Sequence, residues 1–254
     1  MCELFAINAN RPVRANDLLE RFYQDSVWHP HGWGLSWRSG ETVHLHKEGI
    51  RAIDSSYLRQ VLAEPVEATR VVAHIRNATM GVLSYENSHP FVLADVSGRT
   101  WTIAHNGTVF DDHLTGSYAS QAKGSTDSER LALYLVDQMG EAARSADGPL
   151  TFDQRFSKLS KLVTEVSPNN KINLLIDDGE YTYVHTNTVG PTLYERVVGD
   201  MTVVCTTPQD ESGEWREVSK NRLVAYKDGC KVREGIPHEY SIDDEAYLRA
   251  VSQL

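Results

Sequence analysis

Nine short runs of β-branched, aromatic and aliphatic residues punctuate the chain: ELFAIN, WGLSW, TVHLH, RVVAHIR, RTWTIAH, KINLLI, YTYVHT, MTVVCT and RLVAYK. Some alternate apolar with polar positions and others are continuously apolar, as expected for strands in a covered sheet. Their number points to two sheets. Between and after them, ANDLLERFYQD, SSYLRQVLAE, STDSERLALYLVDQM, LTFDQRFSKLSKLVTEV and SIDDEAYLRAVSQL carry apolar residues at helical spacing. Helices laid on the outsides of two packed sheets are the simplest way to bury both sets of apolar faces. A chain of 254 residues can form such a core as one domain, residues 1–254. The Ser, Ala, Asp and Gly mixture from Ala143 to Pro149 reads as a surface loop between two halves of that fold. Asp178-Gly179 and Lys227 to Gly229 predict hairpin turns. Thr126 and Glu129 predict a capping box that turns Leu131, Tyr134, Leu135 and Met139 inward.

Composition narrows the function classes. With 35 acidic against 25 basic residues, the formal charge is -10, which repels phosphate backbones, so nucleic acid is not an expected partner. No apolar stretch is long enough to span a bilayer and the N-terminus lacks the pattern of a secretory signal, so no membrane partner and a cytoplasmic location are expected. Cys2, Cys205 and Cys230 are too few and too scattered for a disulfide framework or a zinc ribbon. His29/His31 and His44/His46 are i, i+2 pairs that strands produce readily without metal, and neither a metal nor another cofactor is expected. Cys205 and Cys230 read as structural.

Five stretches can carry chemistry. In MCELF, removal of Met1 would leave Cys2 with a thiol and a free α-amine, a nucleophile with a base in the same residue; alternatively Cys2 is an inert buried cysteine. In HPHGWGLSW, two glycines, the second Gly34, flank Trp33 just before a strand, so the backbone can turn tightly and another group can approach it closely, although a turn with a packed tryptophan fits as well. VVAHIRNATMG brings Arg76 to a strand end, where a guanidinium can grip a carboxylate with two parallel bonds or simply be solvated. Thr79 could add a hydroxyl to the same anion or stabilise a turn. In WTIAHNGTVF, Asn106 and Gly107 form either a hairpin turn or an oxyanion hole built of a side-chain amide and a backbone N–H. Asp127, in the first turn of a helix, offsets the helix dipole and can also pair with a ligand ammonium.

Together these groups supply what is needed to hold glutamine and attack its side chain. The ordered motifs MCELF, HGWG, AHIRNAT, NSHPF, AHNG and STDSE, with KINLLIDDGEYTYVHTNT beyond them, resemble the class II glutamine amidotransferases, within the N-terminal nucleophile hydrolases. The resemblance runs along most of the chain and is greatest to stand-alone bacterial members. It implies an α+β fold, a four-layer αββα sandwich of two mainly antiparallel sheets with the mature N-terminus at the site. It implies Cys2 as nucleophile, Asn106 and Gly107 as oxyanion hole, and Arg76, Thr79, Asp127, Trp33 and Gly34 as substrate-binding residues, the last two in the segment that packs beside the nucleophile. His89 and Pro90 would shape a neighbouring loop. His31 stands where the family often has aspartate, and Met80 where many relatives have histidine. The implied reaction cleaves the γ-amide of glutamine or of a larger γ-glutamyl amide, releasing ammonia or an amine, with a separate ammonia-accepting enzyme as a further expected partner. A catalytically silent glutamine-binding sensor or regulatory subunit is the alternative, and a homo-oligomer is compatible with either.

Overall fold

A computed structural model describes residues 2–78, 81–146, 148–190 and 192–252. Thirteen strands and five α-helices are arranged among them. In chain order they are β1 (Glu3–Arg14), α1 (Asn16–Gln24), β2 (Trp33–Ser39), β3 (Thr42–Glu48), α2 (Ser56–Ala63), β4 (Glu67–Ile75), β5 (Phe91–Ala94) and β6 (Thr100–His105). The second half adds α3 (Asp127–Ser145), α4 (Phe152–Val166), β7 (Leu174–Asp177), β8 (Thr182–His185), β9 (Tyr194–Val198), β10 (Met201–Cys205), β11 (Arg216–Glu217), β12 (Val224–Lys227), β13 (Cys230–Glu234) and α5 (Asp244–Val251). One sheet runs β11-β9-β10-β1-β4-β2-β3 and the other β13-β12-β8-β7-β6-β5. Each pair of neighbouring strands is antiparallel.

The alternation of β1 divides the layers. Phe5, Ile7 and Ala9 pack with Leu19, Phe22 and Tyr23 of α1 and Leu58 of α2. Leu4 and Ala6, on the opposite face, meet Ala104, Leu175 and Val184 of the second sheet. Beyond that sheet, Trp101, Ile103, Leu174 and Ile176 bury against Leu131, Leu135 and Met139 of α3 and Leu159 and Val163 of α4. This is the expected αββα sandwich, in which area removal from water at three apolar interfaces drives the assembly.

The turns and caps follow their chemistry. Asp228 and Gly229 take φ of 50° and 77°, the left-handed pair that a two-residue hairpin between β12 and β13 requires. The expected capping box at α3 is half formed. Thr126 accepts the Glu129 N–H at 3.2 Å, but the Glu129 carboxylate instead accepts from the backbone N–H groups of Lys123 and Gly124. A reciprocal box closes at α4, between Thr151 and Gln154.

Candidate active site

The ladder between β1 and β4 pairs Glu3 with Ile75, so the start of one strand and the end of the other deliver Cys2 and Arg76 to one rim of the sandwich. β6 ends at His105 in the facing sheet and brings Asn106 and Gly107 to the same place. A polar pocket there is lined by Cys2, Arg76, Gly107 and Asp127, together with His89, His105 and Ser128. A larger concavity between α1 and α2, lined by Glu20, Tyr23, Leu58 and Arg59, holds none of the five chemistry-bearing stretches.

Cys2 is partly exposed, and its Sγ lies 3.2 Å from the backbone N–H of Asn77, which donates to it. Burial pushes the thiol pKa up, while that N–H and the Arg76 charge act in the opposite direction. Asn106 is buried and its side-chain amide donates to the Cys2 carbonyl at 2.6 Å. Its backbone N–H donates to Asn173 O at 2.9 Å. The Arg76 guanidinium donates to Val82 O and Gly81 O, at 3.0 and 3.3 Å, which ties it to the segment that follows. Asp127, buried at the start of α3, accepts the Val109 N–H at 2.7 Å.

Four histidines surround these groups. His105 places Nδ1 2.9 Å from Ser128 Oγ and Nε2 2.9 Å from Lys171 O. Burial lowers its pKa against the pull of Asp127. His74 and His89 share a 3.0 Å bond between Nε2 and Nδ1, and burial holds both well below the ordinary imidazole range, so the pair is neutral. His31 fixes the backbone beside the guanidinium: its Nδ1 accepts from Ala78 N at 2.9 Å and its N–H donates to Arg76 O at 3.0 Å.

Cys2, Arg76, Asn106, Gly107 and Asp127 thus converge. Thr79 and Met80 lie outside the described residues, as does Met1. Trp33 does not line the pocket. With Leu35 it belongs to the helix-side core, fully buried, and its indole N–H donates to Glu48 at 3.2 Å; strand alternation alone selects that face. Gly34 stands behind the pocket, where a Cβ would meet His89 O at 1.9 Å. Residues beyond those anticipated are Asn77, whose contribution is a backbone N–H that leaves no mark in a sequence, and His105 and Ser128, which the motifs AHNG and STDSE contain.

Comparison with known proteins identifies the family. The family description "Glutamine amidotransferases class-II" matches residues 1–198. YafJ of Escherichia coli, which bears the name putative glutamine amidotransferase, is 30% identical over 194 residues, 74% of this chain and 74% of its own. A Haemophilus influenzae protein of the same name is 24% identical across 96% of this chain and 90% of its own. In fold, the chain is similar to a predicted glutamine amidotransferase from Pseudomonas aeruginosa PA01, with a TM-score of 0.64, 21% identity and coverage of 91% of this chain and 100% of that one. It is also similar to glutamine phosphoribosylpyrophosphate amidotransferase from B. subtilis, with a TM-score of 0.64, 22% identity and coverage of 92% of this chain and 49% of that one. Matched over most of its length and built on the same fold, the chain belongs to the class II glutamine amidotransferases.

Proposed function

We propose that this chain is a glutaminase-type hydrolase that uses Cys2, freed by removal of Met1, to cleave the γ-amide of glutamine or of a γ-glutamyl amide. The observation that carries this reading is the convergence of Cys2, Arg76, Gly107 and Asp127 on one pocket, with Asn106 bonded to the nucleophile residue. The α-amine of Cys2, with a reference pKa near 8, accepts the thiol proton. Sulfur then adds to the γ-carbonyl carbon and the carbonyl π electrons pass to oxygen. Asn106, which has a second amide proton besides the one it gives to Cys2, and the Gly107 N–H stabilise that oxyanion. Collapse breaks the C–N bond as the α-ammonium returns its proton to the leaving nitrogen. Water, deprotonated by the same amine, releases glutamate from the thioester. Arg76 holds the α-carboxylate and Asp127 the α-ammonium, which fixes the γ-carbon against sulfur.

This reading treats residues 1–254 as one functional unit, supported by β10 pairing with β1 and β12 with β8 although both strands lie beyond residue 198. Released ammonia would pass to a separate acceptor enzyme. Intact mass of the purified protein, followed by incubation with glutamine and γ-glutamyl amides, tests the proposal. Loss of Met1, a γ-glutamyl adduct on Cys2 and release of glutamate are expected, with Cys2→Ser releasing little ammonia. Undiminished release from Cys2→Ser would refute the nucleophile, and tight binding of glutamine by the processed wild type without turnover would make the protein a sensor.

A further inference from the structure

The C-terminal helix lies outside the residues matched by the family, yet it reaches the back of the Asn106-Gly107 corner. Tyr247 of α5 is 5% exposed; its hydroxyl lies 3.3 Å from Thr108 Oγ1 and its ring 4.2 Å from the Lys171 ammonium. Lys171 is fully buried and exchanges both backbone hydrogen bonds with Thr108, each at 3.1 Å. Its carbonyl also accepts from His105 Nε2 at 2.9 Å. A Cβ on Gly107 would sit 1.8 Å from that carbonyl oxygen, so the Lys171 carbonyl fills the space beside Gly107 that a side chain would take. Any displacement of Lys171 is therefore transmitted to Gly107 by steric contact and to Thr108 by the ladder.

The approach of α5 is fixed by the same hub. Ile242, just ahead of the helix, donates its N–H to Asn187 O at 2.9 Å and accepts the Val189 N–H at 3.0 Å. The buried Asn187 side chain accepts from Ile172 N and donates to Asn170 O, both at 2.8 Å. One residue thus ties the segment carrying Lys171 to the entrance of α5. Phe110 adds an edge-on ring contact to Tyr247 at 6.1 Å between centroids.

We propose that Tyr247 is a positioning residue for the oxyanion hole, holding Thr108 and Lys171 so that the Gly107 N–H and the Asn106 amide keep their aim at the substrate oxygen. The inference rests on the reading of Asn106 and Gly107 given under Proposed function. A donor displaced by a fraction of an ångström affects the charge that develops in the transition state more than it affects the bound ground state.

The test uses the full-length, processed protein with Tyr247→Leu and Tyr247→Phe. Tyr247→Leu is expected to lower kcat for glutamine about tenfold or more, with KM and the affinity for glutamate within about twofold of wild type. Tyr247→Phe, which keeps the ring over Lys171 and loses only the hydroxyl contact, should restore most of the loss. Backbone amide exchange read at Gly107 and Thr108 should quicken in Tyr247→Leu while the strands of the first sheet stay protected. A kcat within twofold of wild type, or a parallel loss of kcat, glutamate affinity and protection throughout the chain, would overturn the proposal. A wild type that releases no ammonia would refute the function while leaving exchange at Gly107 and Thr108 to decide whether α5 supports that corner; unchanged exchange there would overturn that support.

Discussion

Replacing Gly34 by alanine should damage the site from behind. Gly34 sits mid-sheet, paired with His74 of β4 on one side and Lys47 of β3 on the other, so its strand cannot slide away. A Cβ at this position would lie 1.9 Å from His89 O and 2.9 Å from His89 C. Restoring ordinary contact requires the backbone at His89 to retreat by about 1.5 Å, an overpacking displacement that costs roughly 1–3 kcal/mol. That movement also strains the 3.0 Å bond from His89 to His74, and it pushes on the preceding segment, whose Gly81 and Val82 carbonyls hold the Arg76 guanidinium. A misplacement of about 1 Å at a substrate-positioning group can cost on the order of 100-fold in rate. Gly34→Ala is therefore expected to lose about 1–3 kcal/mol in urea unfolding and to raise KM for glutamine more than it lowers kcat. Stability within about 0.5 kcal/mol of wild type together with an unchanged KM would refute the reasoning.

Three further outcomes follow from other parts of the structure. Asp127→Asn keeps an acceptor for the Val109 N–H but removes the charge proposed to hold the substrate ammonium, so KM should rise by about 10- to 100-fold with a smaller change in kcat; steady-state kinetics on glutamine and on its des-amino analogue separate the two, the analogue being indifferent to the change. The Glu3 carboxyl is pushed up to about 7 from 4.5 by burial, although Thr207 donates to it at 2.9 Å. The folded protein then keeps a proton that the unfolded chain releases, so this group costs stability as pH rises from about 4.5 to 7, up to roughly 3 kcal/mol. Glu3→Gln should accordingly raise Tm at pH 8 and leave it nearly unchanged at pH 4, and equal shifts at both would count against the assignment. Asp178 forms an ion pair with Arg155 Nε at 2.8 Å and accepts from the Tyr183 hydroxyl at 2.9 Å and from the backbone N–H groups of Glu180 and Tyr181; Asp178→Ala should lower unfolding stability by about 3–5 kcal/mol, because the buried arginine loses the buried one of its two carboxylates and keeps only the partly exposed Glu180.

How much of this could be read beforehand depended on whether burial wrote itself into the residue pattern. The strands that carry the layers, such as β1, β4 and β6, contribute apolar residues to the faces they bury, and each of the nine predicted runs overlaps one strand. The strands missed are β5, β9, β11 and β13, which lie at or beside sheet edges. Tyr194, Glu195 and Arg196 of β9 are only half-buried, and Cys230, Lys231 and Val232 of β13 are exposed, so no apolar alternation announces them. The same logic governs the site. Cys2, Arg76, Asn106, Gly107 and Asp127 are legible because each stands at the end of a strand or the start of a helix, where the side chain or the turn chemistry is the message. The Asn77 N–H against the sulfur and the Lys171 carbonyl against Gly107 are backbone atoms, and any residue type supplies them. Trp33 shows the converse: two flanking glycines advertise an opening, but position two residues from Leu35 on one strand commits the indole to the core. The local motif says where the chain can turn, and the sheet's period decides which way the side chain then faces. Residues whose role depends on both, such as Gly34, therefore become interpretable only when the opposing backbone at His89 is in place.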